Sequence, residues 1–278
     1  MQLQLEDYKN LVNAELVKIF SKLKKEVKKG NVPEILYEAM HYSVFNGGKR
    51  IRPIICLATY VACCPSKNFR KLRSILPIAC GLEFIHTFSL IQDDLPCMDN
   101  DDYRRGKPSL HRAFDEAIAL LAADALFAMA FELFINAQIK QKQKLAATKE
   151  LVRICGPSAL IGGQVLDITK KVNLNNNEQK IIDKKKTAEL IAGAMKIGAI
   201  IAGAKQKIID KITKAGTYLG MLFQTTDNIL DQSQPTATHH QKKLVMQYAN
   251  RAKQEFIQLG KDFKWFIQFT DYLTQRTS

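Results

Sequence analysis

Five aspartates, Asp93, Asp94, Asp99, Asp101 and Asp102, crowd into the stretch SLIQDDLPCMDNDDYRRGKP, and Arg104, Arg105 and Lys107 follow at once. The run before them, from about Ser74 to Ile91, is apolar with helical spacing, and Pro96 cannot continue a helix and disfavours it at Leu95. Asp93 and Asp94 are therefore expected at the C-terminal end of a buried helix, with Asp99 returning from the loop. That end is the negative pole of the helix dipole, so carboxylates there repel it and each other. A hard divalent cation relieves the conflict. Mg2+ takes one or two carboxylates and completes its shell with waters and substrate phosphates. The adjacent Arg–Arg–Gly can grip a phosphate in fork geometry. A solvated acidic loop is the alternative, and the apolar helix leading into the acids argues against it.

Other stretches carry compatible chemistry. FQTTDNILD puts Asp227 and Asp231 at i and i+4 on one helix face, where like charges destabilise the helix unless bridged. Two carboxylate sites on separate, facing helices would clamp metal ions on a diphosphate. NGGKRIRP sets Lys49, Arg50 and Arg52 after a glycine turn, at the opening of a helix before Pro53. Glycine lets backbone approach an anion, and helix N-terminal amides favour negative charge; an ordinary cap with solvated basic residues is the alternative. His86 lies two turns before Asp93 on roughly the same face, where a core histidine fits the pattern as well as a ligand does. In GGQVLDI, Gln164 and Asp167 share a face, and Gly163 permits close helix approach.

Together these words resemble the trans-isoprenyl diphosphate synthases, in particular the bacterial farnesyl/geranylgeranyl diphosphate synthases. The first aspartate-rich motif of that group, DDxxxxD, is matched by Asp93, Asp94 and Asp99, and HTFSLIQDDLPCMDNDDYRRGKPS is similar almost residue for residue; the resemblance runs from about Ala39 to Asp231. It implies an all-α fold of the isoprenoid synthase type: a single-domain bundle of about ten or more helices around a central cavity, with residues 1–278 as one polyprenyl synthetase-like domain. It implies a transferase that condenses isopentenyl diphosphate with an allylic diphosphate (dimethylallyl or geranyl), using two or three Mg2+ ions, with Mn2+ possible. Asp93, Asp99, Asp227 and Asp231 would hold metal, and Asp93, Asp94, Asp99, Asp227 and Lys186 would serve catalysis. Lys49, Arg52, His86 and Arg105 would bind isopentenyl diphosphate, with Arg50 adjacent. Arg104, Lys186, Thr187 and Gln224 would serve the allylic diphosphate. Phe88, about 7.5 Å down the helix from Asp93 at ~1.5 Å per residue, and Ser89 would set product length, the aromatic ring favouring a farnesyl-length product. A homodimer is the usual assembly of the group. The chain departs from it twice. Asn228 stands where the second motif has an acid, keeping an oxygen but losing a charge. QSQPTATHHQKKL carries no counterpart of the family's lysine loop, leaving Lys242 or Lys243 as substitutes. These departures favour a non-catalytic or weakly active subunit modulating a partner synthase as the competing function; a terpene cyclase would not need NGGKRIRP plus RRG.

Composition fits this reading. The 278 residues are 46% hydrophobic with 14 glycines and 8 prolines, which favours helix and a sizeable core. The net charge of +14 is scattered, with no aromatic-interleaved patch, so nucleic acid is not expected; a positive field suits diphosphate substrates. Six cysteines without a CxxC spacing argue for buried free thiols in a reducing cytoplasm rather than zinc. No signal peptide and no membrane span are expected. Helices are expected over 3–28, 33–45, 51–64, 72–95, 111–137, 145–168, 185–204 and 208–231, then a terminal helix, with QIKQKQK as a solvated turn and KKVNLNNNEQK opening as a surface loop. Asp124, a lone acid in an apolar run, is expected to be paired or to face the cavity.

Overall fold

The computed structural model describes residues 4–64, 72–169, 176–230 and 238–275. Among them the chain is all-α apart from one two-stranded ribbon. Contacts gather into two compact units, one of Leu3–Ile54 and Lys71–Ile139, the other of Ile55–Arg70 and Lys140–Ser278.

The first unit is built on α4 (Leu72–Asp93). Its apolar residues run right round the helix and most are buried, as a helix without a polar face requires. It packs on α6 (Glu116–Ile135), with α1 (Leu5–Lys28) and α2 (Glu34–Phe45) against the same core. α1 is amphipathic: Tyr8, Val12, Leu16 and Phe20 recur every fourth residue and are buried. The single helix expected over 111–137 is two. After α5 (Leu110–Ala113), Phe114 leaves helical geometry at φ −119°, and Asp115 restarts the chain as the N-cap of α6, its carboxylate accepting the Ile118 N–H at 2.7 Å. The apolar run hid that cap.

The second unit holds α7 (Gln141–Cys155), α8 (Leu160–Thr169), α9 (Asn176–Asp183), a π-helical turn (Lys184–Ala188), α10 (Glu189–Ala202), α11 (Gln206–Leu230), α12 (His239–Leu259) and α13 (Lys264–Gln275). α10 packs on α7 and α11, and α12 on α11 and α13. α3 (Ile51–Cys63) gives its first turn to one unit and its remainder to the other. The helix expected over 145–168 is broken at Gly156–Pro157, and the supposed turn QIKQKQK supplies the first turn of α7. The polar NNEQK stretch from Asn176 is already helical in α9, and the terminal helix is a pair joined by a 3₁₀ turn.

Three segments, Leu72–Asp93, Glu116–Ile135 and Gln141–Thr169, are long and apolar enough to cross a membrane by length and composition. In α4, 72% of that window is buried inside the protein, so its hydropathy is that of a core helix. Of the thiols, Cys56, Cys80 and Cys155 are buried, whereas Cys97 is exposed between the aspartates.

Candidate active site

In the first unit, α4 ends as Pro96 demands. The Asp94 amide still donates to the Leu90 carbonyl at 3.1 Å, and the Asp99 amide then donates back to the Asp93 carbonyl at 2.9 Å, closing the loop. Asp93 and Asp99 thus flank one backbone hydrogen bond. Asp94 goes elsewhere. It is 3% exposed and takes a bidentate grip from Arg104, whose Nε donates at 3.0 Å and whose Nη2 also reaches Asp101 at 3.0 Å. Burial pushes the Asp94 carboxyl up, and Arg104 offsets part of that. Asp94 therefore anchors an arginine, a role its place in the motif does not reveal.

A ribbon of β1 (Tyr103–Arg104) and β2 (Lys107–Pro108) follows. Both residues of its turn have positive φ, 55° at Arg105 and 77° at Gly106, the signature of a type I′ turn. The ribbon docks on the NGGKRIRP turn. Asn46 Nδ2 donates to the Arg104 carbonyl at 2.9 Å, and Arg105 Nη1 donates to the Gly47 carbonyl at 2.8 Å. A Cβ on Gly48 would stand 2.8 Å from Arg105 Nη1, so glycine is what admits the guanidinium. Tyr42 completes the dock by donating its hydroxyl to the Pro108 carbonyl at 2.8 Å.

Lys49 is exposed beside this dock and Arg52 is buried in the first turn of α3. Arg50, expected to bind substrate beside them, has its side chain turned into the protein. It is 5% exposed and spends its donors on protein: Nη1 on Glu83 Oε1 at 2.8 Å, Nη2 on the Val44 carbonyl at 2.7 Å and Nε on Asn13 Oδ1 at 3.1 Å. Glu83 and Asn46 are the residues that sequence reasoning missed. A lone glutamate three residues before His86 in an apolar run was the available signal. His86 itself is held well below its ordinary pKa by burial and by Arg52, Arg105, Arg50 and Arg104, so it is a neutral imidazole at neutral pH. Phe88 is 5% exposed and stacks obliquely on Phe127 of α6, centroids 4.9 Å apart, with Phe131 next at 5.0 Å from Phe127. The Ser89 hydroxyl donates to the His86 carbonyl at 2.9 Å. Asp124 is exposed on α6 rather than turned inward.

The second unit carries the other cluster. Here α8 and α11 both press on the π-helical turn. A Cβ on Gly163 would lie 2.7 Å from the Lys186 amide, and one on Gly220 would lie 2.5 Å from Ala188 Cα. π-turns are uncommon and recur at functional sites. This one presents two adjacent residues to different partners. Lys186 Nζ donates to Asp167 Oδ2 at 2.8 Å, and Thr187 Oγ1 donates to Gln224 Oε1 at 2.5 Å. Gln224 Nε2 passes the chain on to Asn228 Oδ1 at 2.6 Å. Asn228 is thus an acceptor in a relay that ends at Thr187. Both amide atoms of Gln164 are buried without a hydrogen-bond partner among the described residues, capacity that a ligand or water would fill. Asp227 is partly exposed on α11 next to the relay, and Asp231 lies outside the described residues. Lys242 and Lys243 are exposed in the first turn of α12.

Among the described residues no three acidic, histidine or cysteine side chains converge to hold a metal. Asp93 and Asp99 offer carboxylate oxygens in the first unit, and Asp227 offers them in the second. Oxygen donors of this kind suit a hard divalent cation that completes its shell with water and phosphate oxygens.

Residues 33–247 match the family model described as polyprenyl synthetase. The heterodimeric geranylgeranyl pyrophosphate synthase large subunit 2 of Arabidopsis thaliana is 41% identical over 205 residues, 72% of this chain and 53% of that protein. The geranylgeranyl diphosphate synthase of Cyanophora paradoxa is 41% identical over 214 residues, 75% of this chain and 69% of its own length. The chain spans about half the length of several of the curated relatives it matches. The crystal structure of a geranyltransferase from Legionella pneumophila superposes with a TM-score of 0.86 at 30% identity, covering 98% of this chain and 96% of that one. The matched span takes in the glycine turn, the aspartate loop, the π-turn and Asp227, and the chain belongs to the polyprenyl synthetase family.

Proposed function

We propose that the protein is a Mg2+-dependent short-chain trans-prenyl diphosphate synthase that joins isopentenyl diphosphate to an allylic diphosphate. The observation that carries this is the docked pair of turns in the first unit, where Lys49, Arg52 and Arg105 gather around two glycines and a neutral His86. Asp93 and Asp99, with Asp227, are the residues that would hold the metal, which when bound neutralises diphosphate charge. Arg104 and Lys186, each steadied by a carboxylate, supply fixed positive charge to a departing diphosphate. Lys49, Arg52, His86 and Arg105 hold the isopentenyl diphosphate. The allylic C–O bond breaks, the isopentenyl double bond attacks the allylic cation, and the released diphosphate accepts the lost proton. No side-chain base is needed, and apolar walls keep water from the cation.

Phe88 on Phe127 supports a product of farnesyl length, while the matched relatives are named for geranylgeranyl diphosphate. A homodimer is supported by the apolar outer face of α6, where Leu120, Leu121 and Ile135 are 44%, 55% and 57% exposed. Light scattering should give twice the monomer mass. Free thiols support a reducing compartment, the cytoplasm. The second reading, a subunit of a heteromeric synthase, draws on Asn228 and on the heterodimeric subunit of Arabidopsis thaliana to which the chain is similar. Purified protein with Mg2+, labelled isopentenyl diphosphate and each allylic primer in turn should yield one short-chain prenyl diphosphate. No product with any primer would remove the enzyme reading and leave the subunit.

A further inference from the structure

We infer that Arg50 and Glu83 form a positioning pair for the isopentenyl diphosphate residues: a buried ion pair pins a left-handed turn and so decides where Lys49 and Arg52 stand. The inference rests on the prenyl-transfer reading above. Arg50 has φ 55°, a conformation that a residue with a Cβ adopts only when its surroundings impose it. What imposes it here is the side chain. One guanidinium ties α1 through Asn13, the end of α2 through the Val44 carbonyl, and α4 through Glu83. Lys49 precedes that pinned residue directly and Arg52 follows it by two, so neither can shift unless Arg50 lets go.

Glu83 is 1% exposed and lies three residues before His86, on the same face of α4. It also acts electrostatically on Arg105, opposing the effect of burial there. Its Oε1 takes Arg50, while its Oε2 is buried without a hydrogen-bond partner among the described residues. Glu83 thus sits as counter-ion to Arg50 and acts with Asp94 on Arg105, within a group of arginines that would otherwise repel one another. With each guanidinium nitrogen donating to protein and its side chain buried, Arg50 is turned away from substrate. It acts through Lys49 and Arg52 rather than on substrate.

The test compares wild type with Arg50→Gly, Arg50→Gln, Glu83→Ala and Glu83→Gln. Calorimetry measures the Kd for isopentenyl diphosphate alone, and steady-state kinetics give the KM for each substrate. Arg50→Gly relieves the backbone conformation but removes the tether. It should weaken isopentenyl diphosphate at least tenfold and leave the allylic KM within about twofold. Glu83→Ala should do the same, and Glu83→Gln, which still offers Arg50 an acceptor, should recover most of the loss. Equal losses for both substrates, or none, would overturn the inference. So would loss of cooperative melting in every variant, since the pair would then serve stability alone. Binding alone separates the two claims. A wild type that binds isopentenyl diphosphate, turns nothing over and loses affinity in Arg50→Gly sinks the enzyme reading and keeps the pair. A wild type that is active while Arg50→Gly binds normally does the reverse.

Discussion

His86 shows how a residue's neighbours set its chemistry. Burial, then Arg52, Arg105 and the other arginines, depress its pKa well below 6.5. The unfolded chain, with an ordinary value of about 6.5, therefore takes up the proton first. The stability tied to this group is present above that value and is lost as pH falls through it. Denaturant titrations should show stability declining below about pH 6.5, and His86→Gln should remove that part of the slope; an unchanged slope would assign the acid limb to other groups. Phe88 gives a second prediction at this scale. Its ring meets Phe127 at 4.9 Å, so Phe88→Ala should open space beside α6 and lengthen the product by at least one isoprene unit. Chromatography of the extracted diphosphate checks this, and an unaltered product would take Phe88 out of length control.

The π-turn of 184–188 is the element whose geometry matters most in the second unit. Lys186 and Thr187 are adjacent in sequence, yet one reaches Asp167 on α8 and the other reaches Gln224 on α11. Gly163 makes this possible, because any Cβ there would meet the Lys186 amide at 2.7 Å. Gly163→Ala should cost about 1–3 kcal/mol by overpacking. It should also lower turnover more than Gly30→Ala, whose glycine has open space around it, although its φ of 78° carries a backbone cost of its own. Equal activity in the two variants would mean that the close approach of α8 does not position Lys186. The sequence announced Gly163 through its motif. It did not announce the π-turn, since one inserted residue in a helix leaves no mark in hydrophobic spacing.

At the scale of the molecule, metal dependence and fold should separate. The described carboxylates do not converge as a structural metal site, and the cores of both units are apolar. Chelation should therefore abolish turnover while leaving the helical circular dichroism and melting point unchanged within about 2 °C; a large loss of helix would make the metal structural. The scattered charge of +14 predicts substrate affinity that weakens with salt, because exposed Lys49 is screened more than buried Arg52.

The helical class, the end of α4 before Pro96 and the glycine turn before Arg52 were legible in the chain, because proline, glycine and apolar periodicity act over a few residues. The helix breaks at Asp115 and Gly156 were also written there, but an apolar run on either side concealed them. Pairings were not legible. Asp94 looked like a catalytic acid of the motif and is bound to Arg104; Arg50 looked like a phosphate ligand and is bound to Glu83. Whether a charge faces a substrate or a counter-ion depends on which helices meet and how deeply each side chain is buried, and that is decided by packing between residues far apart in the sequence.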